Sequence, residues 1–473
     1  MMKNIDKSKL VLVHDSSDKI IDQPLETKEI GYYQDSWNRF KKNKASLVAF
    51  IIICIILLFV MIGPHLKNYD LYGRSTEDAA RLANLTPKIP GLEKLGIFDG
   101  TKTIKAGKRF LTHMADPDNP FGQGIILSGF PEELLEDPNH PDYKDVTSLT
   151  VTVDYYKYVN YIKSYMPEDY FSMLDEYNAG TTKKDPLSPV IRTLIQSEFD
   201  KYMAENSIID LRRIVITPDK ENEGQYFYQY EVRIDQFKLS LDQLPEDTYF
   251  WFGTNHEGKD LFTEIWKGAR VSLLMALGVT LINAVIGLTI GAIVGYYGGV
   301  VDLLFDRFVE IISSVPFLAV LTLLVLRFGS QLWVIVLAFT ATGWIGSYGT
   351  GRMQFYRFKN REYVLAARTL GASDGRIMFK HIFPNTLGLI VTGYALAIPA
   401  FVFTEASYSF LGIINYEKST SVGMLIQRGQ SVMQYHPHLL LFPSLYIAIL
   451  MIAFNLFGNG LRDAFNPSLR GVE

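Results

Sequence analysis

Residues 253–260 read Gly-Thr-Asn-His-Glu-Gly-Lys-Asp after an extended aromatic stretch, Tyr249-Phe250-Trp251-Phe252. This is one substitution away from the phosphate-binding loop G-x-x-x-x-G-K-[ST], whose final hydroxyl holds magnesium. Here Asp260 replaces that hydroxyl and Glu257 adds a second carboxylate, so the loop would repel phosphate. Nucleotide binding is therefore excluded at this position. Other reactive groups are sparse. Cys54 is the single cysteine, His436 and His438 are the only close histidine pair, and no nucleophile–base set or metal-ligand spacing is present. No catalytic residue, cofactor site or metal site is expected. What remains are polar or helix-breaking residues in long apolar runs: Asn283, Glu405 and Asn455, with Pro316 and Pro399. An intramembrane carboxylate is expensive and marks Glu405 for function. Its place near the outer end of its run equally suits a solvated interfacial carboxylate. The two prolines predict kinks or breaks that line a cavity, so Asn283, Pro316, Pro399 and Glu405 form the candidate path.

The elements that carry these residues are membrane spans. Six runs are long and apolar enough: Ala45–Ile62, Val271–Ile293, Val309–Leu326, Leu332–Ser347, Leu387–Phe403 and Leu439–Phe457. The first starts too far from Met1 to be a cleaved signal peptide, and Gly-Pro-His-Leu-Lys comes after it instead of a small-residue cleavage site. Leu261, Phe262, Ile265 and Trp266 recur at helical spacing, which predicts an amphipathic interfacial segment over 251–270. Gly287, Gly291 and Gly295, one turn apart, predict a close helix–helix contact.

The net charge of −4 argues against a nucleic-acid partner, but the charge is segregated. Residues 67–250 hold 21 Lys/Arg against 31 Asp/Glu, leaving the rest of the chain at a net +6. Arg39, Lys41, Lys42 and Lys44 precede the first span, Arg352 to Lys380 carry seven basic residues, and Arg462 and Arg470 lie beyond the last. The positive-inside rule puts all three clusters in the cytoplasm, with tails 1–44 and 459–473, against the trend of Lys267 and Arg270. Residues 64–262 then lie outside the cell. Within them, 64–250 predict a mixed α+β domain: tyrosines are dense (Tyr155, Tyr156, Tyr158, Tyr161, Tyr165, Tyr170, Tyr177), Tyr226–Val232 alternates like a strand, and Asp137–Asp145 reads as a loop. Its aromatic residues suit an extended peptide.

The cytoplasmic stretch 351–385 is the most informative. Its part from Glu362 to Asn385 predicts a short helix ending at Gly371, then a second capped by Ser373 or Asp374 and stopped by Pro384. Two stiff pieces hinged on a glycine and rich in small residues suit a groove on another protein. An ordinary basic loop is the alternative.

Ala366-Ala367, then Gly371, then Pro384 resemble the coupling loop of ABC-importer permeases, Glu-Ala-Ala-x-x-x-Gly with Ile-x-Leu-Pro nine residues on. Leu365, His381 and Phe383 replace the Glu, Ile and Leu. Tyr363-Val364, Ala366-Ala367-Arg368, Leu370-Gly371-Ala372-Ser373-Asp374, Phe252-Gly253-Thr254, Gly268-Ala269-Arg270 and Ser409-Phe410-Leu411-Gly412 are similar to the peptide/nickel branch, in its oligopeptide permease C type. Lys259 stands where that branch usually has Arg, and Ile413 to Lys418 depart from its Gly/Pro-rich continuation. The family has a few dozen residues between the first span and Phe252; here there are about 185. The resemblance implies an all-α polytopic membrane protein, a type I ABC importer permease with six transmembrane helices, carrying an inserted extracellular α+β domain. It also implies a heterodimer with a second permease and coupling through Ala366, Ala367, Arg368, Gly371, Ala372, Ser373, Asp374 and Pro384 to two cytosolic ATPases, which would bind the ATP and magnesium. An external substrate-binding lipoprotein would deliver peptide. Dipeptide or nickel cargo, a passive channel and a membrane receptor with an outer ligand domain are the competing readings.

Overall fold

The computed structural model of the chain describes residues 32–66, 82–119, 122–138, 140–164, 192–204, 208–218, 226–416 and 419–465. Tyr165, Tyr170, Tyr177 and Arg470 lie outside these residues.

Helix α1 (Tyr32–Lys42) is amphipathic, with Phe40 buried against Phe457 and Trp37 exposed. Helix α2 (Lys44–Leu66) is the first span. Its Pro64 has no amide hydrogen, which deprives the Val60 carbonyl of its intrahelical donor. Arg270 fills that gap: its Nε and Nη2 donate to Val60 O at 3.1 and 3.0 Å, and Nη2 also donates to Met61 O at 3.0 Å. The basic residue that runs against the charge bias is thus the cap of a neighbouring helix end. Lys267 is likewise engaged, at 3.2 Å from Glu264.

An inserted region comes next. Strand β1 (Thr101–Gly107), helix α3 (Lys108–Ala115), strands β2 (Ile126–Ser128) and β3 (Ser148–Asp154) and helix α4 (Tyr155–Ser164) build an antiparallel sheet of order β1-β3-β2. Strand β4 (Arg192–Ile195), helix α5 (Gln196–Ala204) and strands β5 (Ile208–Pro218) and β6 (Tyr226–Ile234) build a second, of order β4-β6-β5, before helix α6 (Gln236–Leu241). Tyr156, Tyr158 and Tyr161 are buried with Phe237, Phe250, Leu111 and Val153. These tyrosines make the core instead of a peptide-facing surface; without disulfides, the domain draws on their large apolar area.

The insertion leaves and rejoins the chain at one place. Lys88 N donates to Phe250 O at 2.8 Å, and Asn84 N to Asn255 O at 3.0 Å. The near-phosphate loop is this seam: Gly253 and Gly258 turn at φ +78° and +77°, and Asp260 caps the next helix by accepting from Thr263 N at 3.1 Å. Lys102 from β1 reaches across to His436 at 3.4 Å and lies 4.5 Å over the Tyr155 ring. Phe442 stacks on Phe252 at 4.1 Å.

Helix α7 (Leu261–Tyr297) is continuous for 37 residues, so only 261–270 of the amphipathic segment expected over 251–270 are helical, as its opening turns, with Leu261, Phe262 and Ile265 buried. Helices α8 (Gly299–Ser313) and α9 (Phe317–Phe328) meet at Pro316 with a 64° bend. The Ser313 and Ser314 hydroxyls donate to Glu310 O and Ile311 O beside the break, occupying carbonyls of the last turn. Helix α10 (Leu332–Phe358) returns, and after it come α11 (Glu362–Thr369), α12 (Phe383–Phe410), α13 (Val422–Ser431) and α14 (His438–Phe465). Among the described residues, five helices are long and apolar enough to span a membrane, and α8–α9 makes a sixth crossing if the bent pair counts as one. Helices α7 and α10 approach backbone to backbone. A Cβ on Gly287, Gly291 or Gly295 would run into the carbonyl oxygens of Trp344, Tyr348 and Arg352 in turn.

Gly291→Leu should overpack the α7–α10 contact, at a cost of about 1–3 kcal/mol, and lower the melting temperature of the purified protein. Gly278→Ala, which meets nothing within 4 Å, should leave it unchanged. At the seam, burial first and the Lys102 ammonium second push the His436 imidazole down from 6.5 to about 4. Between those values the unfolded chain binds a proton that the folded chain refuses. The histidine's contribution is therefore complete above pH 6.5 and lost as the pH falls toward 4. The wild-type protein should lose more melting temperature between pH 7.5 and pH 5 than His436→Gln, and equal losses would refute the assignment.

Candidate functional site

Three arrangements carry the sequence-predicted residues. The first is a cavity of about 390 Å³ between α7, α9, α10 and α12. Asn283 lines it with Thr280 from α7, Phe317 from α9, Phe339 and Ser347 from α10, and Tyr394, Phe401 and Thr404 from α12. The Asn283 Nδ2 donates weakly to Phe339 O at 3.5 Å, and its Oδ1 is buried with no hydrogen-bond partner. Tyr394 OH is 2.8 Å from Ser347 Oγ. No charged side chain lines the space. Pro316 acts at its edge: it is the N-cap of α9 and leads into Phe317, the first residue of that helix, which lines the cavity. Pro399 breaks nothing. It lies inside continuous α12, buried between the lining residues Ala397 and Ala400.

The second arrangement surrounds Glu405, which does not line the cavity and is not solvated. Its exposure is 0%. Ser272 Oγ of α7 donates to Oε2 at 3.1 Å; Ser409 Oγ and Tyr416 OH donate to Oε1 at 3.0 and 3.3 Å. The Ser421 hydroxyl, at the N-cap of α13, also hydrogen-bonds the carboxylate. A carboxylate offers about four lone-pair sites, and four hydroxyls from separate segments meet them. Nothing in the sequence marks the seryl and tyrosyl partners, because hydroxyls are common and their convergence is tertiary.

The third is the 362–382 segment. Helix α11 ends in a Schellman motif: Gly371 N donates to Arg368 O and Ala372 N to Ala367 O, both at 3.0 Å, with Gly371 at φ +83°. Ser373 precedes a one-turn helix, Asp374–Arg376. Pro384 does not stop the helical path. A π-helical turn, Ile377–Ile382, runs directly into α12, where Pro384 occupies the first turn. The wider turn accommodates a ring that would clash with the carbonyl four residues back in a regular helix.

Val364, Ile377 and Ile382 are buried against Tyr296 and Phe355, and Ala367 is buried with them on the inner side. Tyr296, near the end of α7, is the clamp: its hydroxyl donates to Asp374 Oδ1 at 2.6 Å and accepts from Arg368 Nη2 at 3.1 Å. Lys359 Nζ donates to Tyr296 O at 3.3 Å. Ala366, Arg368, Gly371, Ser373 and Asp374 stay exposed at the surface, as do the apolar Leu365 (43%), Leu370 (87%) and Phe379 (70%). Gly287, Gly291 and Gly295 join this segment to the rest, since they seat the α7 half that carries Tyr296.

Residues 287–471 match the family described as binding-protein-dependent transport system inner membrane component, and residues 31–87 match the N-terminal TM domain of oligopeptide transport permease C. A dipeptide transport system permease protein DppC of Bacillus subtilis is 40% identical over 49% of this chain and 73% of its own length. Two oligopeptide transport system permease proteins OppC are similar: that of B. subtilis at 39% over 49% and 76%, and that of Haemophilus influenzae at 40% over 52% and 79%. Among solved structures, the inward-facing MetNI methionine ABC transporter aligns with 43% of this chain and 96% of its own, at 18% identity and a TM-score of 0.35, too distant to constrain the fold. The chain therefore belongs to the binding-protein-dependent transport system inner membrane component family, as a multi-pass permease of the oligopeptide C type.

Proposed function

We propose that this chain is the C-type permease of a type I, ATP-driven peptide importer, with the insertion outside the cell and the 362–382 segment facing the cytoplasm. The observation that carries this reading is the segment itself: a glycine-hinged piece, clamped by Tyr296 on its inner side, that turns Leu365, Leu370 and Phe379 outward. Exposed apolar side chains of that size call for a protein groove, and a cytosolic ATPase supplies one. A second permease completes the path beside the exposed Ala400, a second ATPase serves that partner, and an external binding lipoprotein lands on the inserted domain. ATP and magnesium belong to the ATPases; this chain supplies no catalytic group. Closure of the ATPase dimer shifts the segment, and alternating access results from the spans moving against each other.

The uncharged cavity favours a peptide over nickel. Asn283, Thr280 and the Tyr394–Ser347 pair offer hydrogen bonds to backbone amides, and Phe317, Phe339 and Phe401 offer apolar surface. Among the described residues, no group of histidine, cysteine or carboxylate side chains is placed to hold a metal.

The reading is tested by depletion of a defined mixture of peptides, two to about ten residues long, and nickel from the medium, with detection by mass spectrometry. Cells lacking the chain should leave a subset of peptides behind, and the wild-type chain should restore their uptake. Gly371→Pro, which cannot adopt φ +83°, should assemble in the membrane but restore none. Loss of nickel uptake alone would reassign the cargo. Separately, Ala400→Trp should fill the cavity and reduce peptide uptake at least tenfold with the complex still assembled; unimpaired uptake would remove this cavity from the path.

A further inference from the structure

Helix α7 is held at two points, Ser272 and Tyr296, by hydrogen bonds to separate parts of the protein. Three turns into the helix, Ser272 donates to the fully buried Glu405 carboxylate of α12, which also takes the hydroxyls of Tyr416 and Ser421. Glu405 sits next to Thr404, and Phe401 lies one turn earlier; both line the cavity. At the other end Tyr296 bonds Asp374 and Arg368 of the hinged segment. The 24 steps along the helix from Ser272 to Tyr296 span about 36 Å at the helical rise of 1.5 Å per residue. Nothing interrupts them: α7 contains no proline, and its inner half is fixed against α10 through Gly287, Gly291 and Gly295. By contrast, the neighbouring pair α8–α9 is bent by 64° and would absorb a displacement.

We propose that α7 is a transmission rod, with Tyr296 its seat on the hinged segment and the Ser272–Glu405 bond its seat at the mouth of the cavity. Glu405 is a positioning residue: it fixes α7 at Ser272 to α12, to Tyr416 and to the cap of α13. A displacement of the hinged segment then reaches the cavity mouth along one stiff element. This inference rests on the importer reading and adds the route by which the two ends communicate. A contiguous structure is not itself proof of coupling, so the test measures coupling directly.

The complete transporter, reconstituted in nanodiscs with its partner permease, ATPases and binding protein, is assayed for ATP hydrolysis with and without a pentapeptide. The readout is the fold-stimulation by peptide in a double-mutant cycle. Tyr296→Phe and Ser272→Ala are each expected to reduce stimulation about five- to tenfold. If both seats serve one rod, the double variant loses no more than the worse single one. Independent sites this far apart should instead multiply their losses. Ser409→Ala is the control: its bond to Glu405 lies within α12 and leaves α7 attached. Combined with Tyr296→Phe, it should multiply. Glu405→Gln should behave as Ser272→Ala does, with assembly and melting temperature checked for every variant. Multiplying losses for Tyr296→Phe with Ser272→Ala, in a complex whose wild type responds to peptide, would overturn the rod and leave the importer reading standing. A wild-type complex with no peptide-stimulated hydrolysis would overturn both.

Discussion

The approach of α7 to α10 is the contact on which the other arrangements depend. Lipid tails are as apolar as leucine side chains, so two helices gain nothing by hiding apolar surface from each other and associate through dispersion and fit. Three glycines on α7, each facing a carbonyl of α10, remove the side chains that would hold the backbones apart. The contact fixes the rotation of α7 about its own axis as well as its distance from α10. That rotation sends Asn283 into the cavity, carries Tyr296 to the 362–382 segment and, toward the other end, points Ser272 at Glu405. A side chain at any of the three glycines would disturb all of these placements together.

With lipid in place of water, backbone groups in the spans need protein partners, and a charged side chain is costly without one. Arg270 is placed where Pro64 frees a carbonyl, and a guanidinium can serve two acceptors at once. Arg352 of α10 bridges Asp302 and Asp306 of α8, at 3.0 and 3.3 Å for its Nη atoms, which ties the α8 start to the same end of the bundle as the hinged segment. Glu405 takes the opposite course, surrounded by neutral hydroxyls in place of a cation. Hydroxyl donors are directional and spread over four segments, so the carboxylate fixes an arrangement in space where one salt bridge would fix only one distance.

What the sequence made legible was the local chemistry. The four-residue glycine period, the Gly371 turn and the break at Pro316 come from backbone rules that need no tertiary information. The cavity itself, and the pairing of Asn283 with Phe339, Tyr394 and Phe401 around it, depends on which helices become neighbours. The tyrosines of the inserted region were legible as aromatic but not as core, because an amphipathic side chain carries the same composition signal inside and outside a domain. Tyr296, Ser272 and Tyr416 gave no signal, since each matters only through a partner more than ten residues away. Arg270 was visible only as an exception to the charge bias, and Pro64 supplies the reason once the two helices are side by side.

Four of the prolines, Pro64, Pro316, Pro384 and Pro399, show why such exceptions resolve only in three dimensions. Each removes one donor and threatens one clash, and the difference lies in the groups near the freed carbonyl. At Pro64 a foreign arginine replaces the donor, and the helix end survives. At Pro384 the π turn moves the threatened carbonyl aside, and the chain enters α12 without a corner. At Pro399 a buried helix is held straight by neighbours on several sides. At Pro316 the residue is exposed and two serines satisfy the local carbonyls, so nothing resists the bend. The sharp corner in the described spans therefore falls beside the cavity, next to an unbroken 37-residue helix. A bundle built that way would concentrate deformation at the corner and carry load along the intact helix, the division of labour that the proposed transmission along α7 would use.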